Sequence, residues 1–223
     1  MKKSFLSNVS NSKALRLTTG LAMLTVQFAV MFTSFASQAL IELKAGYSQF
    51  STSPGTLNDQ FPGNPKISQM QAISFDVMGN VPLMPVGLGV RHEMFSRKES
   101  DGGLRSEIDW KRTSILVNKR LIDTVMYLGP VATVSFASDF KYSSDNGATT
   151  TNYKTESQLT ATAGVEAGFK LALLSLGAEI GYLHAPVGEL RDSAGVAVTN
   201  ASGSKINVDL SGPYMRASVG FGF

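Results

Sequence analysis

The sequence predicts an all-β chain: eight antiparallel strands closed up-and-down into a membrane-spanning barrel, preceded by a cleavable signal peptide. Three observations predict it. The first 39 residues have the basic, apolar, then small-residue layout of a secretory signal. Beyond them, apolar residues recur at every second position in eight separate stretches, the period of a strand with one greasy face. The connections between those stretches alternate long and short, as in barrels that present long loops at one end and tight turns at the other.

The signal segment carries Lys2, Lys3, Lys13 and Arg16 ahead of the apolar run Leu17–Ala36, with no acid before Glu42. Small residues follow, and cleavage fits after Ala36 or after Ala39. Its removal leaves 16 basic against 17 acidic groups, a net charge of −1 in place of +3. The basic character belongs to the targeting segment, which leaves no electrostatic footprint for nucleic acid. Residues 40–223 suit one domain. The absence of cysteine excludes disulfides, thiolate metal sites and a lipid-modified N-terminus, and suits an oxidising compartment.

The strands follow in order. Ile41–Phe50 sets Ile41, Leu43, Ala45 and Tyr47 against Glu42, Lys44, Gly46 and Ser48; a polar loop, Ser51–Lys66, follows. The second strand, Gln69–Asn80, turns at Val81–Pro85 into a third, Val86–Ser96, and Arg97–Ser106 reads as a loop. The fourth, Glu107–Asn118, is the least regular: Ile108, Trp110 and Leu116 share a face with Arg112, while Ile115 and Val117 share the other with Asp109 and Lys111. A bulge or an extension into water accounts for such a pattern. After a turn at Lys119–Asp123, the fifth strand, Thr124–Asp139, contains Pro130, which argues for a bulge or a missing hydrogen bond. Phe140–Lys154 is a loop with its tip at Asp145-Asn146-Gly147. The sixth strand, Gln158–Leu171, alternates most cleanly, and a very short turn joins it to the seventh, Leu174–Tyr182. The loop Pro186–Ser204 leads to the eighth strand, Lys205–Phe223, whose apolar set switches from even to odd positions near Gly212-Pro213, as if the register slips.

The face opposite the apolar one holds Gly, Ser and Thr with occasional charges, too few for a solvated surface. This face is therefore predicted to point inward, with the apolar face toward lipid. The inward charges are Glu42, Lys44, Asp76, Arg91, Glu93, Glu166, Lys170, Glu179 and Arg216, with Lys111 as a further candidate. An eight-stranded barrel is just wide enough to be filled by side chains, so charges of near-balanced sign pair across it rather than line a water-filled pore. Tyr47, Trp110, Tyr127, Tyr182 and Tyr214 lie near strand ends, where outward rings join interfacial girdles.

The terminal stretch carries the chain's one motif. Met215, Ala217, Val219, Phe221 and Phe223 alternate with Arg216, Ser218, Gly220 and Gly222, and the chain stops on Phe223. In this the sequence resembles the small eight-stranded outer-membrane barrels, the superfamily of the outer membrane protein A transmembrane domain and outer membrane proteins X and W. The resemblance implies residence in the outer membrane of a Gram-negative bacterium, contact with its lipid, and both termini in the periplasm. It also implies that Met215, Ala217, Val219, Phe221 and Phe223 form the signal read by the barrel-assembly machinery. No cofactor, metal set, phosphate loop or nucleophile elbow is present in the sequence. His92 falls on the lipid face with Glu93 turned away, and no serine follows His184 at the spacing of barrel lipid A deacylases. The expected roles are a structural or surface-interaction barrel with four long extracellular loops and a plugged interior or, alternatively, a narrow porin-like channel, with lateral release of solutes at Pro130 or Pro213 as one form of it; a lipid-modifying barrel enzyme is the least favoured reading, and no enzyme activity is expected. Deleting Phe223 should lower outer-membrane insertion far more than it lowers the stability of barrel already inserted. Normal insertion of the deletion variant, measured by membrane fractionation, would count against the resemblance.

Overall fold

In the computed structural model of the chain, the described residues are 41–52, 54–61, 63–80, 86–155, 158–200 and 202–223. The signal-peptide assignment to 1–39 and the turn at 81–85 lie outside them. The elements in order are β1 (Ile41–Phe50), α1 (Gly55–Gln60), β2 (Met70–Asn80), β3 (Val86–Asp101), β4 (Leu104–Lys119), β5 (Ile122–Asp123), β6 (Met126–Asp145), β7 (Thr150–Thr155), β8 (Ala161–Leu171), β9 (Leu174–His184), β10 (Pro186–Arg191), β11 (Asn207–Asp209) and β12 (Gly212–Gly222).

Eight of these close into a ring. β1, β2, β3, β4, β6, β8, β9 and β12 each pair antiparallel with the next, and β12 pairs back to β1. The seam is completed where β1 begins and the chain ends by reciprocal bonds, Ile41 N–H to Phe223 O and Phe223 N–H to Ile41 O, each 3.0 Å. The stagger follows from the register. From Ser48, the rungs lead one way through Ala72, Phe95 and Trp110 to Phe140, and the other way through Arg216, Glu179 and Glu166 to Gly129. Phe140 lies eleven residues up β6 from Gly129. One of the eleven is the bulged Phe136, which faces no partner between the pairs Thr113–Ala137 and Ser114–Ser135. A net stagger of ten over eight strands corresponds to a strand tilt of about 40° and a bore filled by side chains.

The wall has two tiers of opposite polarity. Near the termini, the outer surface is apolar: Leu43, Phe75, Val90, Ile115, Leu128, Val165, Leu176 and Val219 are all exposed. So large an apolar area is unstable in water and fits the hydrocarbon of a bilayer. Farther from the termini, the outer positions of the same strands carry Ser96, Lys98, Asp109, Lys111, Asp139 and Lys141. The interior inverts in step. It is polar and charged within the belt and apolar above it, where Phe50, Phe95, Ile108, Trp110, Phe140 and Leu183 are buried.

This inversion selects the second explanation of the irregular fourth strand, its extension into water, and removes the expected register slip. β4 keeps a single parity, with even residues inward from Ser106 to Asn118, so Ile108, Trp110, Arg112 and Leu116 face the lumen and Lys111 faces out. The bulge lies on β6, opposite β4. The eighth stretch shows no slip: even residues point inward from Ile206 to Gly222, and only the surroundings change from apolar core above to polar lumen below. Nor does Pro130 or Pro213 break a ladder. The β6–β8 and β9–β12 registers run through them unshifted, and Pro130 falls in the gap between the β4 pair Asn118–Val131 and the β5 pair Ile122–Leu128.

Two sequence-predicted loops are extended strand. β3 and β4 run on through Arg97–Ser106 to a two-residue turn, Gly102-Gly103, where φ values of +58° and +87° demand glycine. β6 continues to Asp145 and meets β7, and the tip at Asn146-Gly147 is fixed by Asn146 Oδ1, which accepts the N–H groups of Ala148 and Thr149. The predicted loop Pro186–Ser204 contains β10.

The inversion makes opposite forecasts for two outward residues of β4. Ile115→Arg should destabilise the barrel by about 2–4 kcal/mol, the cost of a cation facing mid-bilayer lipid. Asp109→Arg, six residues higher on the same face, should stay within about 0.5 kcal/mol. Urea unfolding in lipid vesicles measures both; equal effects would refute the tier boundary.

Candidate functional site: the ion-paired lumen

Charges reach the lumen because every second position of a belt strand must point inward. Once there, each needs a partner, because an ion isolated from water costs several kcal/mol. The side chains meet in three layers.

The layer nearest the termini joins β1 to the β4–β6 turn. Glu42 pairs with Arg120 and accepts a hydrogen bond from Ser175 Oγ at 3.0 Å. Lys44 Nζ donates to Glu166 Oε1 at 2.6 Å, and Asp123 pairs with Lys170. Tyr127 lies between, its ring centroid 4.9 Å from the Arg120 guanidinium and 5.3 Å from Lys44 Nζ.

The central layer is a ring of two arginines and two carboxylates. Arg91 donates from Nε and Nη2 to Asp76 at 3.0 and 3.1 Å, and from Nη1 and Nη2 to Glu179 at 3.0 and 2.9 Å. Arg216 approaches the same two acids, with Nη2 at 2.9 Å from Asp76 and Nη1 at 3.3 Å from Glu179, while its Nε donates to Ser74 Oγ at 2.9 Å. Tyr214 adds its hydroxyl to Glu179 at 2.5 Å. Both carboxylates thus have bidentate or shared arginine forks, the strongest neutralising geometry available to them. Gly46 makes room for this ring: a Cβ there would sit on the Arg216 guanidinium.

The third layer is the ceiling of the charged zone. Arg112 Nε donates to Glu93 Oε2 at 2.6 Å, and Arg112 Nη1 reaches Thr160 Oγ1 at 3.4 Å. The same guanidinium lies 5.7 Å from both the Phe95 and the Trp110 ring centroids. Arg112 therefore joins the ionic lumen to the apolar core above it, where Phe95 and Trp110 stack at 4.3 Å.

Eight of the nine charges singled out in the sequence (Glu42, Lys44, Asp76, Arg91, Glu93, Glu166, Glu179 and Arg216) are buried in this lumen; Lys170 is half-buried at its rim. Arg112, Arg120 and Asp123 complete the set, giving six acids and six bases among the described residues. Arg112 shares a face with Ile108 and Trp110, which disguised it; the serine at Ser114, beside it on that face, was the available clue. Arg120 and Asp123 lie in the short connection from β4 to β6, where alternation gives no direction. Of the aromatic residues, Tyr47 and Tyr182 face outward, whereas Trp110, Tyr127 and Tyr214 are buried inside. Met215, Val219, Phe221 and Phe223 are exposed on the belt, and Ala217 shares their face. His92 lies on the outer face with Nδ1 2.9 Å from Thr113 Oγ1, and His184 is exposed at the end of β9. At the far end, Glu189 is held below the usual carboxylate range by the Lys205 hydrogen bond and by the charges of Lys205 and Arg191.

No protein-family model matches the chain, and comparison with characterised protein sequences finds no relative. Solved structures do match. A major outer membrane protein from Thermus thermophilus aligns over 82% of this chain and 99% of its own, with a TM-score of 0.53 at 12% identity. The fold is that of an outer-membrane β-barrel. Neisserial surface protein A aligns over 82% of this chain and 96% of its own, with a TM-score of 0.48 at 12% identity. The outer membrane protease OmpT from Escherichia coli aligns over 82% and 95%, with a TM-score of 0.43 at 11% identity. At 12% identity, the Thermus match shows the barrel fold alone.

Arg91→Met should destabilise the barrel by about 3–5 kcal/mol, because it strips a fork from two buried acids. Arg97→Met removes the rim pair with Glu99, whose side chains are each 28% exposed, and should cost under about 1 kcal/mol. Unfolding midpoints of the two variants in detergent check the contrast.

Proposed function

We propose that this chain is a non-conducting outer-membrane barrel that anchors a folded tier of loops at the cell surface, with a structural or surface-interaction role and no catalytic activity. The central ring carries the reading. Asp76, Arg91, Glu179 and Arg216 are each no more than 3% exposed and bond to one another from four different strands across the lumen. Charges so fully neutralised favour a plug over an ion path. The connections at the end bearing the termini are short, as at Ala172-Leu173, while β3, β4 and β6 project far beyond the belt at the other. That asymmetry supports placing both termini in the periplasm and the long connections outside. The outer-membrane lipid and, during insertion, the assembly machinery are the partners this reading requires.

Planar-bilayer recording tests the plug. The wild-type protein should give no stable conductance steps, and Arg216→Ala should not shift any background. Stable steps that change on altering Glu166 or Arg216 would replace this reading with that of a narrow channel. Protease added to intact cells should cut near Asn146 or Asp192; protection of both would reverse the orientation.

A further inference from the structure

The upper tier holds a cleft that neither the ion-paired lumen nor the lipid belt accounts for. It lies along β10 and β11 and has a volume of about 490 Å³, a size typical of small-molecule sites. The cleft forms where the wall changes partners. β8 and β9 pair as far as Ala161–His184, whereas among the described residues β10 meets β7 only at Leu190–Thr155 and Arg191–Lys154. Thr160 turns aside toward β6, donating its N–H to Ser135 Oγ at 2.9 Å and accepting the Ser135 N–H at 2.8 Å. On the other flank, the β10–β11 register shifts between Pro186 and Gly188, and Gly188 takes a φ of +100°. A Cβ at Gly188 would lie 2.9 Å from both Cγ and Nε2 of Gln158. The glycine thus permits the bend and also lets the Gln158 amide lie against the strand.

The lining of the cleft is polar and electrically balanced. Glu189 pairs with Lys205 at 2.7 Å and with Arg191 at 3.1 Å, and Arg191 Nη1 donates to Gly195 O at 3.1 Å. Asp209 faces outward from β11, with Oδ1 accepting the Ser211 N–H at 2.8 Å. Two acids therefore stand with two bases. The amides of Gln158 and Asn207 add donors and acceptors, and Pro186 and Val208 supply a small aliphatic surface.

This set of groups selects a class of ligand. A cation would contest Glu189 with Lys205 and Arg191, and an anion would meet both acids, so ions gain little. A hydrophobe finds no aromatic ring among the described lining residues. A hydroxyl both donates and accepts. Its proton suits the carboxylates, its oxygen suits the amides and the guanidinium, and an aliphatic C–H face suits Pro186 and Val208. We infer that this cleft is a binding site for a neutral, hydroxyl-rich ligand, a saccharide. Access to it from outside the cell rests on the orientation proposed above; binding by the purified protein does not.

The test uses the full protein in lauryldimethylamine oxide, a detergent without a sugar head. The probes are the methyl glycosides of glucose, galactose, mannose and N-acetylglucosamine, each followed by saturation-transfer difference NMR. At least one should show saturable transfer that persists in high salt. Gln158→Ala and Asn207→Ala should each weaken it roughly three- to tenfold, the worth of one hydrogen bond. Lys98→Ala, on β3, should leave it unchanged. Heat-modifiable gel mobility verifies that every variant is a folded barrel. Absence of transfer to all four glycosides, or transfer untouched by both amide substitutions, would overturn the inference. Stronger transfer to glucosamine or glucuronic acid that collapses in salt would overturn the neutral character of the ligand.

Discussion

Everything in this structure follows from the requirement that backbone N–H and C=O groups facing hydrocarbon find partners within the protein. A sheet satisfies that requirement only by closing, and the reciprocal bonds between Ile41 and Phe223 at the seam show how completely this one does. Closure at eight strands and a stagger of ten fixes the bore, and the bore fixes what the inward residues can be. Large side chains are admitted where small ones face them, as Arg216 is beside Gly46. Ions are admitted where they arrive in balanced sets. The three charged layers are thus a packing solution as much as an electrostatic one.

A second constraint is that the same strands serve two solvents. Along β4, the outward residues pass from Val117 and Ile115 through Thr113 to Lys111 and Asp109, and the inward ones pass from Asn118 and Ser114 through Arg112 to Trp110 and Ile108. The pleat does not change; the medium does. Arg112 sits at the crossover and serves both sides, bonded to Glu93 below and lying against the Phe95 and Trp110 rings above.

The crossover also explains what was legible in the sequence. Strands that stay within the belt, such as β1, β2, β8 and β9, alternate simply, and their inward charges could be named residue by residue. Alternation reports contrast between two faces, not direction. Where β4 and the β11–β12 segment leave the membrane, the apolar set changes face, and a sequence reader sees irregularity or a slip. That change hides Arg112 among apolar neighbours and gives Trp110 the look of a lipid-facing ring. Arg120 and Asp123 are hidden for another reason: the short β4–β6 connection is too brief to show a period, so nothing local says that its side chains turn into the lumen. The polar stretches at Arg97–Ser106 and Phe140–Lys154 look like loops in the sequence because strands standing in water above a bilayer need no apolar outer face.

The central ring has a temporal consequence. Its four members come from β2, β3, β9 and β12, and the Arg216 contacts with Asp76 and Glu179 span 140 and 37 residues. Asp76 and Arg91 meet as soon as the β2–β3 hairpin forms, but Glu179 and Arg216 belong to the last third of the chain. Until β12 docks against β1, the carboxylates and guanidinium already in place need water around them. A sheet that lacks β12 is therefore too costly to surrender to lipid, because it also lacks the Arg216 cation. The ring is therefore fully paired only when the wall is closed.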